Sequence, residues 1–261
     1  MILNQIKIEK SQILDGIEIK SATFIDKIFP FHFHENWSLA FIEYGSENIS
    51  FANGSFLLSK NAVLLIPPNS IHKHWGNKNS LWRYKAVYLN DDVIKSVTNT
   101  LNIDYSFLLN FPYFITYVDN TFEINELYIS GILKKLFIDT VHDNAYSNYL
   151  PPIHANFEEI LCYLSQHYKE SITLESLEKK FKINKFSLQK NFKKKIGLSP
   201  SEYLIAARIE NAKQLFDSSS NITDIAIDSG FYDQSHFTHS FVKYVGVTPG
   251  VYKRSVKILQ D

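Results

Sequence analysis

Apolar positions in the C-terminal third of the chain recur at helical spacing, and the same arrangement occurs twice. Leu174, Leu177 and Phe181 give one short helix an apolar face, and Leu188, Phe192 and Ile196 fall at i, i+4 and i+8 on the next. Asn184 stands between them, where a side-chain oxygen caps a helix start. The arrangement returns with Ile222, Ile225 and Ala226 after a second capping residue, Asn221. Gly230 then allows a sharp turn, and Phe237 and Phe241 face inward from the following helix. Between the two units Ser201–Phe216 is long enough for a stiff helix, with Ala206, Ile209, Ala212 and Leu215 on its packing side. Two helix-turn-helix units on a rigid spacer are suited to lie along one side of a DNA duplex. Their recognition helices would enter successive major grooves about 34 Å apart.

The N-terminal half reads differently. From Phe24 to about Leu89 the pattern is that of short strands: Trp37–Tyr44, Ile49–Phe51, Phe56–Leu58, Ala62–Ile66, Ile71–Trp75 and Leu81–Leu89. Asn53-Gly54 marks a hairpin and Pro67-Pro68-Asn69 a turn. This spacing predicts a small barrel or sandwich. After Asp91 the pattern turns helical, with a strand-like interlude at Tyr113–Val118. Glu126–Val141 carries apolar residues at 129, 132, 133, 136, 137 and 141, a stripe that either packs on the core or pairs with its copy in a dimer. Asp143–Pro152 reads as a linker. The fold expected is α+β in two domains: a β-barrel with helices over 1–147, and an all-α domain with two helix-turn-helix units over 153–258.

Charge sharpens this picture. The chain is formally neutral, yet residues 179–195 hold eight lysines and no acid. That run coincides with the first recognition helix, as phosphate contact requires. With Leu188, Phe192 and Ile196 turned inward, Lys185, Phe186, Gln189, Lys190, Lys193 and Lys194 are left for DNA. Gln suits adenine and Lys suits guanine or phosphate. In the second unit Gln234, Ser235, Thr238 and His239 face outward. There one lysine stands against Asp224, Asp228 and Asp233, so this unit contributes little electrostatic attraction.

Composition excludes other classes. No apolar run is long enough to span a bilayer, and the first residues do not form a signal peptide. One cysteine, Cys162, excludes an internal disulfide and fits a reducing cytoplasm; its apolar helical setting predicts a buried thiol. Nucleophile constellations and phosphate-binding loops are absent.

Several spaced motifs carry a resemblance over Phe157 to Arg254. They are Phe192-(x)4-Gly197-Leu-Ser-Pro200-(x)2-Tyr203, Arg208-(x)3-Ala212, Ala226-(x)3-Gly230-Phe231, Ser235-His-Phe237-(x)3-Phe241, Gly246-Val-Thr-Pro249 and Tyr252-Lys-Arg254. Together they resemble the AraC/XylS family of bacterial transcription regulators. By position, the resemblance assigns base reading to Phe186, Gln189 and Lys190, then to Gln234, Ser235, Thr238 and His239. The chain departs from the family at Glu178, where a small residue usually stands at the helix crossing and looser packing would follow. It departs again at Lys190 and His239, which replace the more frequent Arg and its guanidinium fork.

The first half is similar to the cupin-type barrel that many members carry as an effector and dimerisation domain. The likeness rests on His32-Phe-His34, the hairpins, Pro67-Pro-Asn-Ser-Ile-His72 and Trp82-Arg-Tyr84. His32 and His34 share a strand face and, with His72, supply three imidazoles: polar lining for an organic effector, or a metal site with open positions. Cupin metal sites usually add a Glu four or five residues past the second His, where Ser38 and Leu39 stand here. The expectation is therefore an organic effector and no cofactor. His32, His34, Trp37, His72 and Arg83 are its candidate contacts, Arg83 as a carboxylate anchor. The resemblance implies a cytoplasmic, effector-controlled regulator, an activator rather than a repressor, and no enzyme. Its partners would be double-stranded DNA, RNA polymerase and a second copy joined through the N-terminal domain, with no membrane. The competing readings are a metal-dependent cupin enzyme tethered to a DNA-binding tail, and a constitutive dimeric DNA binder.

Overall fold

The computed structural model describes residues 5–10, 18–52, 54–119, 124–142, 155–216 and 221–257. The strands form two sheets. Sheet one has the order β1 (Gln5–Lys10), β2 (Glu18–Ile25), β9 (Leu81–Leu89), β4 (Trp37–Tyr44), β7 (Ala62–Ile66), β10 (Phe114–Tyr117). Sheet two runs β3 (Ile28–His32), β8 (His72–Gly76), β5 (Ser46–Phe51), β6 (Gly54–Ser59). The strands expected from Trp37 to Leu89 all form; β1 and all but the last two residues of β2 precede the run read as strands.

Sheet one is covered on its outer face by helices. Trp37, Leu39, Phe41, Val63, Leu65, Val87 and Leu89 meet Ile94 and Val97 of α1 (Asp91–Leu101) there. They also meet Ile129, Ile132, Leu133, Leu136 and Phe137 of α3 (Glu126–His142). Burying each such side chain contributes roughly 1.5–3 kcal/mol, so this layer holds the N-terminal half together. The stripe on α3 is thus a core face as far as Phe137, while Val141 is 48% exposed. A short helix, α2 (Tyr105–Leu108), completes the layer. At the turn after β7, Asn69 takes the left-handed φ of 61° and donates its N–H to the His34 carbonyl at 2.8 Å. Asn does this readily where a glycine is otherwise needed.

The C-terminal part is helical: α4 (Ala155–Gln166), α5 (Leu174–Phe181), α6 (Lys185–Ile196), α7 (Pro200–Leu215), α8 (Ile222–Asp228), α9 (Gln234–Val245) and α10 (Pro249–Lys257). Local chemistry sets the boundaries. Thr173 and Ser176 form a capping box on α5, and Ser199 and Glu202 form another on α7, with Pro200 at its first position. Asn221 and Asp233 cap α8 and α9, while Gly197 and Gly246 close α6 and α9 in the left-handed conformation. Phe216, Phe237, Phe241 and Tyr252 interlock in the core of this part.

Contacts divide the chain into two units, one holding most of the strands with α1–α3, the other α4–α10 with Phe29–Phe33 and Ile71–Lys73. The linker expected at Asp143–Pro152 lies outside the described residues. One expectation is corrected. Cys162 is exposed, because Ile160 and Leu164 hold the buried side of α4 and position 162 lies between them on the opposite face.

Candidate nucleic-acid interface and effector chamber

On α6 the side chains of Leu188, Phe192 and Ile196 are buried. The opposite side presents Gln189, Lys190, Lys193 and Lys194, with the Phe186 ring 72% exposed. The start of the helix is fixed by three bonds. Asn184 Oδ1 accepts from the N–H of Phe186 and Ser187 at 3.1 and 3.2 Å, and Glu178 Oε1 accepts from the Lys185 N–H at 3.1 Å. Glu178, the departure from the family at the helix crossing, therefore serves as a second cap that ties α5 to α6. Two lysines are already engaged: Lys185 Nζ lies 2.7 Å from Glu175, and Lys193 Nζ lies 3.0 Å from Glu202.

On α9 the buried residues are Phe237, Ser240, Phe241, Tyr244 and Val245. Gln234, Ser235 and His239 are exposed and Thr238 half-buried, and with Val242 they line an open groove of about 680 Å³. Thr223 Oγ1 donates to Gln234 Oε1 at 2.7 Å, which leaves the Gln234 amide nitrogen to face outward. The outward-facing sets expected on both helices thus occupy two continuous surfaces.

The inner face of sheet one carries polar chemistry. Lys20 and Phe24 on β2 and Trp82 and Tyr84 on β9 meet Glu47 of β5 and His74 of β8. Glu47 and His74 are hydrogen-bonded through Oε1 and Nδ1. Burial pushes the Glu47 carboxyl up to about 8, with Lys20 pulling the other way. Burial holds His74 well below the usual imidazole range, reinforced by Lys20 and Lys27. Burial also raises Tyr84. The Lys20 ammonium lies 5.7 Å from the centre of the Tyr84 ring, and Trp82 stacks on Tyr84 at 5.3 Å. Gly76 permits this packing, since a Cβ there would come within 2.3 Å of the Trp82 indole.

The histidines expected in the barrel do not all share one unit. His32 and His72 have ring centroids 4.4 Å apart, and the His34 ring meets Tyr88 edge-on at 5.2 Å. His32 and His72 belong to one of the two units and His34 to the other. Two other expected contacts lie elsewhere. Trp37 is fully buried on the helix-covered face, where its Nε1–H donates to Asp91 at 3.1 Å. Arg83 is exposed and donates through Nε to Thr23 Oγ1 at 3.3 Å. Both follow from strand alternation: Arg83 sits between the inward Trp82 and Tyr84, and Trp37 shares the side of Leu39 and Phe41. Glu43 is also turned outward, paired with Lys85 at 2.9 Å. Lys20 and Glu47 were missed. Their signal was a charged residue at an inward register in an otherwise alternating strand.

Comparison with known proteins places this geometry. A model of the AraC-like ligand binding domain matches residues 16–137, and a helix-turn-helix domain model matches residues 177–255. The chain belongs to the AraC/XylS family. This regulator is 27% identical over 230 residues to the HTH-type transcriptional regulator YbfI of Bacillus subtilis (strain 168), which covers 80% of this chain and 81% of YbfI. It is 34% identical over 88 residues to the HTH-type transcriptional activator RhaS of Citrobacter koseri, but only 33% of this chain and 32% of RhaS are covered. The structure of ToxT from Vibrio cholerae superposes with a TM-score of 0.59 at 16% identity, covering 92% of this chain and 98% of ToxT. ToxT thus shares the two-domain fold. The AraC/XylS protein described here is a DNA-binding transcription regulator with an effector-binding N-terminal domain. No helix among the described residues is long and apolar enough to cross a membrane.

Proposed function

We propose that this regulator activates transcription when a small molecule occupies the N-terminal barrel, reading its operator through α6 and α9. It acts as a dimer joined through the N-terminal domain and works with RNA polymerase. The observation that carries this reading is the pair of capped second helices, each with one aromatic face packed and the other presenting hydrogen-bonding groups. Lys185, Phe186, Gln189, Lys190, Lys193 and Lys194 make up the first contact set; Gln234, Ser235, Thr238 and His239 make up the second. RhaS, named as an activator, supports the sign of regulation. The effector shifts an equilibrium between two arrangements of the protein by its difference in affinity for them.

Footprinting and gel-shift titration on the regulator's own upstream region test this reading. Gln189→Ala is expected to relax discrimination at one or two base pairs and to cost roughly 1–3 kcal/mol on the operator. Equal loss on random DNA would remove Gln189 from the base-reading set.

The effector contacts belong to the N-terminal domain, and His32, His34 and His72 remain its candidates. A ToxT structure has been solved with an unsaturated fatty acid bound, which supports an organic occupant here. The competing enzyme reading requires a resident metal. Elemental analysis of untagged protein is expected to find well below one transition metal per chain. A stoichiometric metal that is lost in His32→Ala would reverse the order of the two readings.

A further inference from the structure

Arg208 belongs to neither outward-facing set, yet its guanidinium ties together the parts of the helical half that carry the two recognition helices. It reaches from α7 to the chain that follows α4, where Nε donates to the Tyr168 carbonyl at 2.7 Å and Nη2 to the Glu170 carbonyl at 2.8 Å. The guanidinium carbon also lies 5.9 Å from the centre of the Phe231 ring, in the turn that leads into α9. The backbone that Arg208 holds is itself pressed against that turn. A Cβ on Gly230 would lie 2.7 Å from the Lys169 Cα and 3.0 Å from the carbonyl oxygens of Tyr168 and Lys169. Phe231 in turn packs on Phe237 of α9, with ring centroids 5.2 Å apart.

The other end of α4 is anchored on the other recognition helix. Near its start Phe157 lies 6.1 Å from Phe192, a buried ring of α6, and further along Tyr163 meets Phe181 of α5 edge-on at 5.7 Å. The 12 residues of α4 span about 18 Å and pack on α7. Two members therefore join the units, α7 through the chain and α4 through side chains. A single connecting helix leaves the second unit free to rock about it, and a second member tied at both ends removes that freedom.

We propose that Arg208 is a positioning residue that sets how many base pairs separate the segments read by α6 and α9, by clamping the end of α4 to the turn before α9. The proposal rests on the reading that both helices hold one duplex, and adds what fixes their separation. Arginine suits the role because its planar fork carries several donors in fixed directions and meets two carbonyls at once, whereas lysine brings a single point on a flexible stem. The restraint matters because the major groove returns to the same side of the duplex only every 10–10.5 base pairs. One extra base pair shifts a half-site by about 3.4 Å and turns it by roughly 35°. A rigid pair of recognition helices rejects that error, and a pair that rocks absorbs it.

The test uses the full chain and a duplex that it selects from a randomised pool. One or two base pairs are inserted between the positions whose discrimination is lost in Gln189→Ala and in Gln234→Ala, and gel-shift titration reads affinity. The unaltered chain is expected to lose roughly tenfold or more on either insertion. Arg208→Met is expected to bind the uninterrupted duplex about tenfold more weakly and to lose no more than about threefold further on insertion, with Arg208→Lys between the two. A merely structural loss lowers affinity for all three duplexes alike, so an insertion penalty in Arg208→Met equal to that of the unaltered chain overturns the proposal. Circular dichroism checks that each variant is folded; should Arg208→Met not fold, Arg208→Lys decides by the same comparison. If neither glutamine variant relaxes a base pair, or the unaltered chain is indifferent to insertion, the reading of one duplex by both helices fails and Arg208 has nothing to position.

Discussion

Phe237→Ala is expected to unfold the second helix-turn-helix unit and abolish operator binding. The Phe237 ring is fully buried and packs against Phe231 at 5.2 Å, Phe241 at 5.4 Å and Phe216 at 6.5 Å between ring centroids. Truncation removes the transfer free energy of a benzyl group and leaves a cavity whose aromatic walls cannot collapse without moving one another. Substitutions of this kind cost about 3–5 kcal/mol, a large fraction of the stability of a small helical domain. Urea unfolding of the full chain checks it, followed at a helical and an aromatic signal, because a two-domain chain need not unfold in one step. A loss below about 1 kcal/mol would mean that the second unit is held by something other than this aromatic core.

Gly230→Ala is expected to have a comparable effect from a single methyl group. Gly230 has φ of 84°, and a Cβ there would lie 2.7 Å from the Lys169 Cα and 3.0 Å from the carbonyl oxygens of Tyr168 and Lys169. The left-handed conformation alone costs an L-residue roughly 1–2 kcal/mol. The contacts are with backbone, which cannot swing aside as a long side chain does, and overpacking of this sort adds about 1–3 kcal/mol. The turn between α8 and α9 would shift, and α9 with it. The expected result is a Tm lowered by several degrees and operator affinity reduced at least tenfold in gel-shift titration. Retention of both would show that the turn tolerates a shift without redirecting α9.

The helical half was legible because each helix buries one side only. Leu188, Phe192 and Ile196 keep a 3.6-residue period against a polar background, and the outward set follows by subtraction. The N-terminal sheet resisted because sheet one is covered on both faces. Trp37, Leu39 and Phe41 are buried under helices while Ile42 and Leu64 are buried on the other side. Apolar residues at consecutive positions carry no record of which face lines the chamber. Arg83 and Trp37 were therefore placed with the ligand when they belong to the outer face. Lys20 hid β2 for the opposite reason: a lysine at an inward position breaks the apolar alternation that marks a strand.

The lysines of α6 are unequal in a way their number conceals. DNA binding is steep in salt because each cation brought to a phosphate sets free a condensed counterion. Lys185 and Lys193 already hold carboxylates, Glu175 and Glu202, in the DNA-free protein. To reach phosphate each must leave an acid behind, uncovered beside the same backbone, so the net gain in released ions is small. Lys190 and Lys194 hold no carboxylate among the described residues and carry no such debt. Two of the eight lysines in the run thus add little to the salt dependence, and the slope expected for operator binding is correspondingly shallower than the sequence charge implies.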